Sequence, residues 1–416
     1  MRQFDIAVIG AGLAGSVAAL AMARGGRSVV LVAGPRSGAD GRTTALMDQS
    51  IGFMARLGLW DEIAPFAAGL STMQIIDGTK RLLRAPPVSF RSAEIGIDAF
   101  GYNMANRDLM AVLEKALAQE PGVSLVQAEA QSLAFDDGGV TIALDSGETL
   151  FAAFVIGADG RNSKTRETAG VSVRRWSYPQ SALVLNFAHT VPHHNVSTEF
   201  HTETGPFTQV PLPGQRSSLV WVVEPAEATR LAALPLEELS RLVETRMQSL
   251  LGKVSVEEGA QCWPLSGMTA LRYGKGRAAF IGEAAHAFPP IGAQGLNLSL
   301  RDVMALEDIL CADPQRPIAA DAGDVFDRRR RVDVISRTAS VDILNRSLLS
   351  SFLPVQMLRA AGLHLLKSVA PLRHLVMREG VEPGRGFGSF PALLREKIGR
   401  QASGRNGKEQ AGYGQD

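Results

Sequence analysis

Cysteine is almost missing from this chain. Cys262 and Cys311 are the only two among 416 residues, and they stand about fifty positions apart. They support no disulfide scaffold, zinc cluster or C-x-x-C redox pair, and such a chain suits a reducing cytoplasm. An excess of either charge is missing too. Lys and Arg total 43 against 42 for Asp and Glu, a net charge of +1, so there is no broad basic field to hold a nucleic acid. No pair of histidines has the helical spacing of metal ligands, and His193-His194 falls in a turn-like PHHN; no metal is expected. There is no internal repeat. The uncharged run nearest to a membrane span, residues 6–23, follows Asp5 and carries four Gly or Ser. It lacks the Leu/Ile core of a span and the cleavage site of a signal peptide, so it reads as a buried strand, turn and helix. The remaining composition is ordinary for a globular protein, 45% hydrophobic and 20% charged, and the length asks for two or three domains.

Glycine, by contrast, is abundant at 42 residues, and its placement is informative. Residues 4–9 form an apolar, β-branched run that suits a strand buried on both faces. Gly10, Gly12 and Gly15 follow as GAGLAG, then an Ala-rich helix to about Arg24, a Gly25-Gly26 stop and a second strand over 28–32. This is a complete β-α-β unit of about thirty residues. Residues 41–58 read as a loop and then a helix. Residues 72–77 and 80–84 read as a hairpin about Asp77-Gly78. Leu109, Met110, Leu113 and Leu117 mark one face of a helix over 106–118. Strands over 140–144 and 149–155 flank a turn at Asp145-Ser146-Gly147. Four short strands are expected at 182–190, 197–201, 208–212 and 218–224. PHHN, ETGP and PGQR separate them, which predicts an antiparallel meander. A helix over 236–251, a buried strand over 278–281 and a helical remainder to about Arg378 complete the chain. Beyond Gly380 the composition is that of a disordered tail.

Three motifs carry chemistry. In GAGLAG, Gly10 allows a tight turn, Gly12 lets a pyrophosphate approach the backbone, and Gly15 lets helix and strand pack closely. The free N–H groups and positive dipole end of the helix then face the phosphates. The acid that normally ends the second strand of such a unit and holds ribose hydroxyls is missing, because Val32 is followed by Ala33-Gly34. Arg36 or Arg42 is a candidate for phosphate or adenine instead. The second motif is GADGRNSKTR. Its strand ends at Gly157 and sets Asp159 at a carboxyl edge, Gly160 allows the turn, and Arg161 and Arg166 offer charge to phosphates. The third is GEAAHAFPPIGAQGLNLSLRD, residues 282–302. Pro289-Pro290 stiffens the approach, and the turn at Gly292, Gln294 and Gly295 opens a helix whose N-terminus suits an electron-rich ligand such as a reduced flavin.

In this order and spacing, the three motifs resemble those of the single-component FAD-dependent aromatic hydroxylases. More closely, the chain to about residue 387 resembles their ubiquinone-biosynthesis branch. RTTALMDQSIGFMARLGLW, GYNMANRDLMAVLEKAL, TGPFTQVPLPG followed by SLVW, and GAQGLNLSLRDVMAL support the likeness. The fold this implies is α/β, with a discontinuous Rossmann-like FAD-binding domain (1–71, 101–174 and 266–322), an antiparallel β-sheet substrate domain (72–100 and 175–265), a C-terminal helical region (323–387) and a tail (388–416). The resemblance also assigns roles. Gly10, Gly12 and Gly15 hold the FAD pyrophosphate, and Arg42 and Arg107 sit where family arginines contact FAD. Asp159 and Gly160 lie in a motif serving both FAD and the nicotinamide donor. Gly282 and Glu283 meet the ribityl chain, and Pro290, Gly292, Gly295, Leu296 and Asn297 line the isoalloxazine. Two positions depart from the family, Ala33 and the Glu283 that replaces an Asp, and either weakens the hold on FAD.

The implied reaction is hydroxylation of the aromatic ring of a polyprenylphenol, with NAD(P)H and O2 as co-substrates. The flavin carries the chemistry, and no catalytic acid or base is legible. Only one G-x-G-x-x-G is present, and the resembling hydroxylases manage with one because their nicotinamide binds transiently. His201, Phe207 and Gln209 are candidate substrate-wall residues on the sheet that roofs the flavin, and His286 reads as a structural loop residue. Residues 348–378 are apolar and basic, with Arg359, Lys367, Arg373 and Arg378 and no acid. They are a candidate contact with a membrane or a biosynthetic complex, which suits a cytoplasmic protein peripheral to the inner face of a membrane. Two other readings remain open: a hydroxylase of a soluble small phenol, and a non-catalytic scaffold subunit.

Overall fold

The computed structural model describes residues 1–35, 40–78, 87–202, 204–289 and 294–349, together with His374 and Met377. Strand β1 (Arg2–Ile9) ends in four buried apolar residues and turns through the glycines into helix α1 (Leu13–Arg24). Strand β2 (Val29–Ala33) returns parallel to β1, Ile6 opposite Val29. Ser16 to Met22 of α1 are all within 1% of fully buried, so the helix is covered on every side and shows no polar stripe. Two glycines set its seat. Gly10 has φ +104°, and a Cβ on Gly15 would lie 1.9 Å from the Gly10 carbonyl oxygen, so only glycine lets α1 sit this close to β1.

An eight-stranded sheet grows from this unit. Thr149–Gly157 and Val123–Gln127 flank β1 and β2 in parallel, and Ala278–Phe280 extends the parallel set beside Thr149–Gly157. Antiparallel strands Ala130–Phe135, Val140–Leu144 and Gly274–Lys275 complete it. Helix Gln294–Leu310 packs on α1. Its C-terminus is closed by a residue from the other end of the chain: the buried Arg27 donates to the carbonyl oxygens of Leu310 (2.7 Å), Asp313 (3.1 Å), Pro314 (2.9 Å) and Arg316 (2.8 Å). Leu310 ends the helix, so its carbonyl is one the helix cannot satisfy itself, and the other three belong to the loop that follows. Arg27→Met keeps the aliphatic bulk and strands them. It is expected to destabilise the fold by about 2–4 kcal/mol, read as an earlier urea midpoint; an unchanged midpoint contradicts this role.

The second sheet has nine strands. Its order runs His286–Ala287, Gln261–Ala270, Val173–His189, Arg216–Val223, Pro206–Leu212, Val196–His201, Thr72–Asp77, Val88–Arg91, with Val254–Val256 beside Val173–His189. The meander expected here holds for three strands and fails for the first. Val173–His189 does not pair with Val196–His201. It lies between Arg216–Val223 and Gln261–Ala270, a Greek-key order. The PHHN stretch carries the chain across the sheet end, with His194 and Asn195 at φ 49° and 58°. Val196–His201 then takes Thr72–Asp77 as a parallel neighbour, the exception in a sheet otherwise antiparallel. Helices Pro225–Ala232 and Leu236–Arg246 cover one face, over Leu183, Leu185, Phe187, Phe200, Phe207, Leu219 and Trp221.

Two further expectations are corrected. Residues 41–58 hold a strand as well as a helix: β3 (Thr43–Met47) precedes α2 (Asp48–Arg56) and pairs with Gly101–Ala105 in a small three-stranded sheet. The helix expected over 236–251 stops at Arg246, because Gln248 and Ser249 turn left-handed at φ 54° and 53°. The strand expected at 80–84, Arg36, Pro290, Gly292, the tail and nearly all of 348–378 lie outside the described residues. Among the described residues no helix is long and apolar enough to cross a membrane.

Candidate active site

One cavity of about 1200 Å³ opens where the parallel strands end. Gly10 after β1, Gly34 after β2, Ala128 after Val123–Gln127, Asp159 after Thr149–Gly157 and Ile281 after Ala278–Phe280 all line it. A parallel sheet places ligands at this edge, where loops diverge and helix N-termini converge. The opposite wall is the uncovered face of the nine-stranded sheet. The volume exceeds the roughly 300–1,000 Å³ of an ordinary small-molecule site, leaving space for a large cofactor and a second molecule together.

The glycine turn forms one end. A Cβ on Gly12 would meet nothing within 4 Å, so the side-chain position of Gly12 is open cavity. No side chain caps the N-terminus of α1, which leaves backbone N–H groups free to meet an anion. Arg107, on helix Asn106–Gln119, also lines the cavity, and among the described residues its ion pair is with Asp108 at 3.3 Å. Arg42 lines it as well. Its guanidinium forks onto Asp40 at 2.8 and 2.9 Å and stacks 5.1 Å from the Trp263 ring centre. The hydrogen bonds it donates to Asp40 raise its pKa above the ordinary arginine value.

Asp159 is held from one side only. Its Oδ2 accepts bonds at 3.0 Å from both the backbone N–H and the hydroxyl of Thr165. Its Oδ1 is buried with no partner among the described residues. A buried carboxylate oxygen is rarely left so, and this one belongs to a residue that lines the cavity. Gly160 turns the chain at φ +77°. The two arginines of this motif have other work than phosphate binding. Arg166 is buried, donates to the carbonyl oxygens of Ala284 (2.6 Å) and Arg161 (3.2 Å), and has its pKa lowered chiefly by burial. Arg161 bonds Glu283 at 3.0 Å and Ser266 at 2.7 Å. The Glu283 carboxylate at the cavity edge therefore carries its own counter-charge.

Gly282, Glu283, Gly295 and Leu296 line the cavity, as does the imidazole-bearing His286. Asn297 does not. It is buried and fastens the helix start to the small sheet, accepting from Met47 N–H (2.9 Å) and Ser50 Oγ (2.7 Å) and donating to Ala45 O (2.7 Å). His286 is pinned by a network that local sequence did not announce. Its Nε2 lies 2.6 Å from Asp302 Oδ2, and Arg330 Nε donates to Asp302 Oδ1 at 2.8 Å. The ring stacks on Phe288 at 5.4 Å and 15°.

The sheet wall corrects two expected substrate residues by one position. Phe207 and Gln209 point to the helix-covered side. Phe207 is fully buried against Phe200 and Trp221, and Gln209 donates to Ser217 Oγ at 2.8 Å. Their neighbours Thr208 and Val210 face the cavity with Ser218 and Val220. His201 shares the cavity face but does not reach it; its Nε2 holds Glu199 Oε1 at 2.8 Å, and Glu199 lines the wall beside Met73, Ile75 and Phe90. Glu199 and Glu129 are cavity residues that sequence reasoning missed. Strand parity around His201 was the available signal for the first, and none was available for the second.

A family model described as "FAD binding domain" matches residues 3–315. Over 404 residues the chain is 32% identical to the ubiquinone hydroxylase UbiL of Rhodospirillum rubrum, which covers 94% of this chain and 92% of that protein. Over 389 residues it is 29% identical to the 3-demethoxyubiquinol 3-hydroxylase of Escherichia coli, with 90% and 97% covered. In fold it is similar to the p-nitrophenol 4-monooxygenase PnpA from Pseudomonas putida DLL-E4, at TM-score 0.75 and 20% identity over 93% of this chain and 98% of that one. It is also similar to Klebsiella pneumoniae HpxO complexed with FAD and uric acid, at TM-score 0.74 and 17% identity over 91% and 96%.

Proposed function

The chain belongs to the FAD-binding domain family of aromatic hydroxylases, with FAD as its cofactor, and from that premise we propose that it hydroxylates the ring of a polyprenylated phenol on the way to ubiquinone. The residues present suit FAD. Gly12 leaves open the space a pyrophosphate needs in front of α1, Arg42 and Arg107 lie along the same wall, and the unpartnered Asp159 Oδ1 is an acceptor for a ribityl or ribose hydroxyl. Gly282, Glu283, Gly295 and Leu296 complete that wall. What FAD supplies when bound is acceptance of a hydride from NAD(P)H and activation of O2. The balance is one phenol, one NAD(P)H, one proton and one O2 giving one catechol-type product, one NAD(P)+ and one water.

The observation that carries the substrate class is the wall opposite. Met73, Ile75, Phe90, Val210 and Val220 give it apolar area among the small polar Ser197, Thr208 and Ser218, and Glu199 is its acidic group, braced by His201 and by Thr208 Oγ1 at 3.3 Å. The apolar residues exclude water and take the ring and the start of a prenyl chain. Glu199 accepts the hydrogen bond of the phenol hydroxyl, which turns the ring and enriches it in electrons. A ring bearing its own carboxylate meets repulsion there, on the order of 1–4 kcal/mol at about 4 Å. A substrate resident in a bilayer also suits a peripheral location at the membrane's inner face, with 348–378 as the contact.

The purified protein is expected to carry FAD and to couple NAD(P)H oxidation to gain of one oxygen by a neutral 2-prenylphenol, but not by 4-hydroxybenzoate. Glu199→Gln removes the charge and is expected to narrow the kcat/KM ratio between the two at least about tenfold. An unchanged ratio removes Glu199 from substrate selection. Equal turnover of both by the wild type overturns the substrate class. The quinone lipid that accumulates in a deletion strain then identifies the ring position.

A further inference from the structure

The β-α-β unit lacks its ribose-binding acid, because Ala33 and Gly34 stand where β2 ends. A carboxylate nevertheless occupies that place. Val123–Gln127 runs parallel to β2, with Gln127 opposite Ala33, and the Ala128 N–H bonds the Ala33 carbonyl at 3.1 Å. The next residue, Glu129, folds its side chain across the end of β2. A Cβ on Gly34 would lie 3.3 Å from Glu129 Cγ and 3.8 Å from its Oε1. A side chain at 34 would crowd Glu129 there. Its backbone is fixed on both sides by Asp145, whose Oδ1 accepts the Glu129 N–H at 3.0 Å and whose N–H bonds the Glu129 carbonyl at 3.0 Å. Among the described residues the carboxylate itself makes no hydrogen bond or ion pair, and the residue lines the glycine-turn end of the cavity. Glu114, on the facing helix, lines the same end but is not free.

We infer that Glu129 replaces the missing acid and accepts hydrogen bonds from the adenosine ribose hydroxyls of FAD. The acceptor has moved from the end of one parallel strand to the end of its neighbour, so the adenosine end is gripped although β2 ends in Ala33-Gly34. This rests on FAD being the cofactor. It makes Glu129 specific for the adenosine half, since Gly282, Gly295 and Leu296, which would meet the riboflavin half, belong to other elements of the cavity wall.

Fluorescence titration of the deflavinated protein tests the assignment with three ligands: FAD, its 2′,3′-dideoxyadenosine analogue, and FMN. The wild type is expected to prefer FAD over the dideoxy analogue by about 10- to 100-fold, the scale of hydrogen bonds to a charged group. Glu129→Ala is expected to lose FAD affinity by the same factor, to stop distinguishing FAD from the analogue, and to bind FMN within about twofold of wild type. The inference is overturned if Glu129→Ala still discriminates as the wild type does, if the wild type does not discriminate, or if Glu129→Ala weakens FAD and FMN alike. Failure of the wild type to bind FAD at all would instead sink the flavoenzyme reading.

Discussion

Gly12→Val is expected to fold normally and lose FAD, while Gly15→Val loses the fold itself. The two positions sit three residues apart in one motif, yet a side chain meets opposite surroundings at each. At Gly12 the backbone has φ −74°, a value any residue adopts, and a Cβ would meet nothing within 4 Å. Valine there fills cavity, and the protein core does not notice. The filled space is the approach to the free N–H groups of α1. Keeping a pyrophosphate a side chain's width away forfeits the dipole and hydrogen-bond attraction, about 3 kcal/mol or roughly a hundredfold in Kd. At Gly15 the Cβ would lie 1.9 Å from the Gly10 carbonyl oxygen and 3.1 Å from Ala158 Cβ. Backbone at that distance cannot yield without lifting α1 off the sheet. Since α1 is buried on all sides, the cost is about 4 kcal/mol or more. Thermal unfolding of the flavin-free proteins and FAD titration separate the two outcomes. Tight FAD binding by Gly12→Val would mean that no pyrophosphate approaches this helix.

The contrast also marks what the amino-acid order discloses. The β-α-β unit was legible because it is local: an apolar run, three glycines at fixed spacing and an Ala-rich helix decide one another within thirty residues. Gly10, Asp159 and Gly282 reach one cavity because parallel strands end on one edge, so their convergence followed from fold class alone. The face of the substrate sheet was not legible. In Pro206–Leu212 one face packs under helices and the other is itself the cavity wall, and Phe207, Thr208, Gln209 and Val210 put one apolar and one polar residue on each, so the alternation carries no polarity contrast to say which side is which. Phe207, a candidate for the substrate wall, is instead core. Asn297 belonged to the right motif and turned its amide toward β3. Glu129 was invisible for a different reason. The sequence shows that the acid at Ala33 is missing, but nothing near position 33 points to a residue 96 positions later. Only strand adjacency brings the two together.

Asp302→Asn is the other substitution with a large expected effect, and it couples stability to the site. Asp302 is completely enclosed, and its two oxygens are divided between His286 and Arg330. Burial alone would push its carboxyl pKa up. The charges of His286 and Arg330 and their hydrogen bonds reverse this, so the net shift is below the ordinary carboxylate value. A carboxylate with a lowered folded pKa stabilises the fold fully above its unfolded pKa, about 3.9. That stabilisation is lost as pH falls through the folded value. Asparagine keeps the shape and removes the charge. It leaves the buried Arg330 with Asp333 alone, at 2.6 Å, and with an Nη2 that already lacks a partner. Breaking a buried ionic network from one side costs about 3–5 kcal/mol. The deficit is expected in full at pH 7 and narrows in acid below about pH 4, where the wild type gives up the same contribution. Because Asp302 also holds His286 against Phe288 on the cavity wall, Asp302→Asn is expected to weaken FAD binding while Arg27→Met, equally buried but remote from the cavity, leaves it unchanged. Urea midpoints at pH 7 and in acid, with FAD titration at pH 7, read all three effects. A deficit under about 1 kcal/mol, or one that does not vary with pH, would show that the network is not the support of the cavity wall.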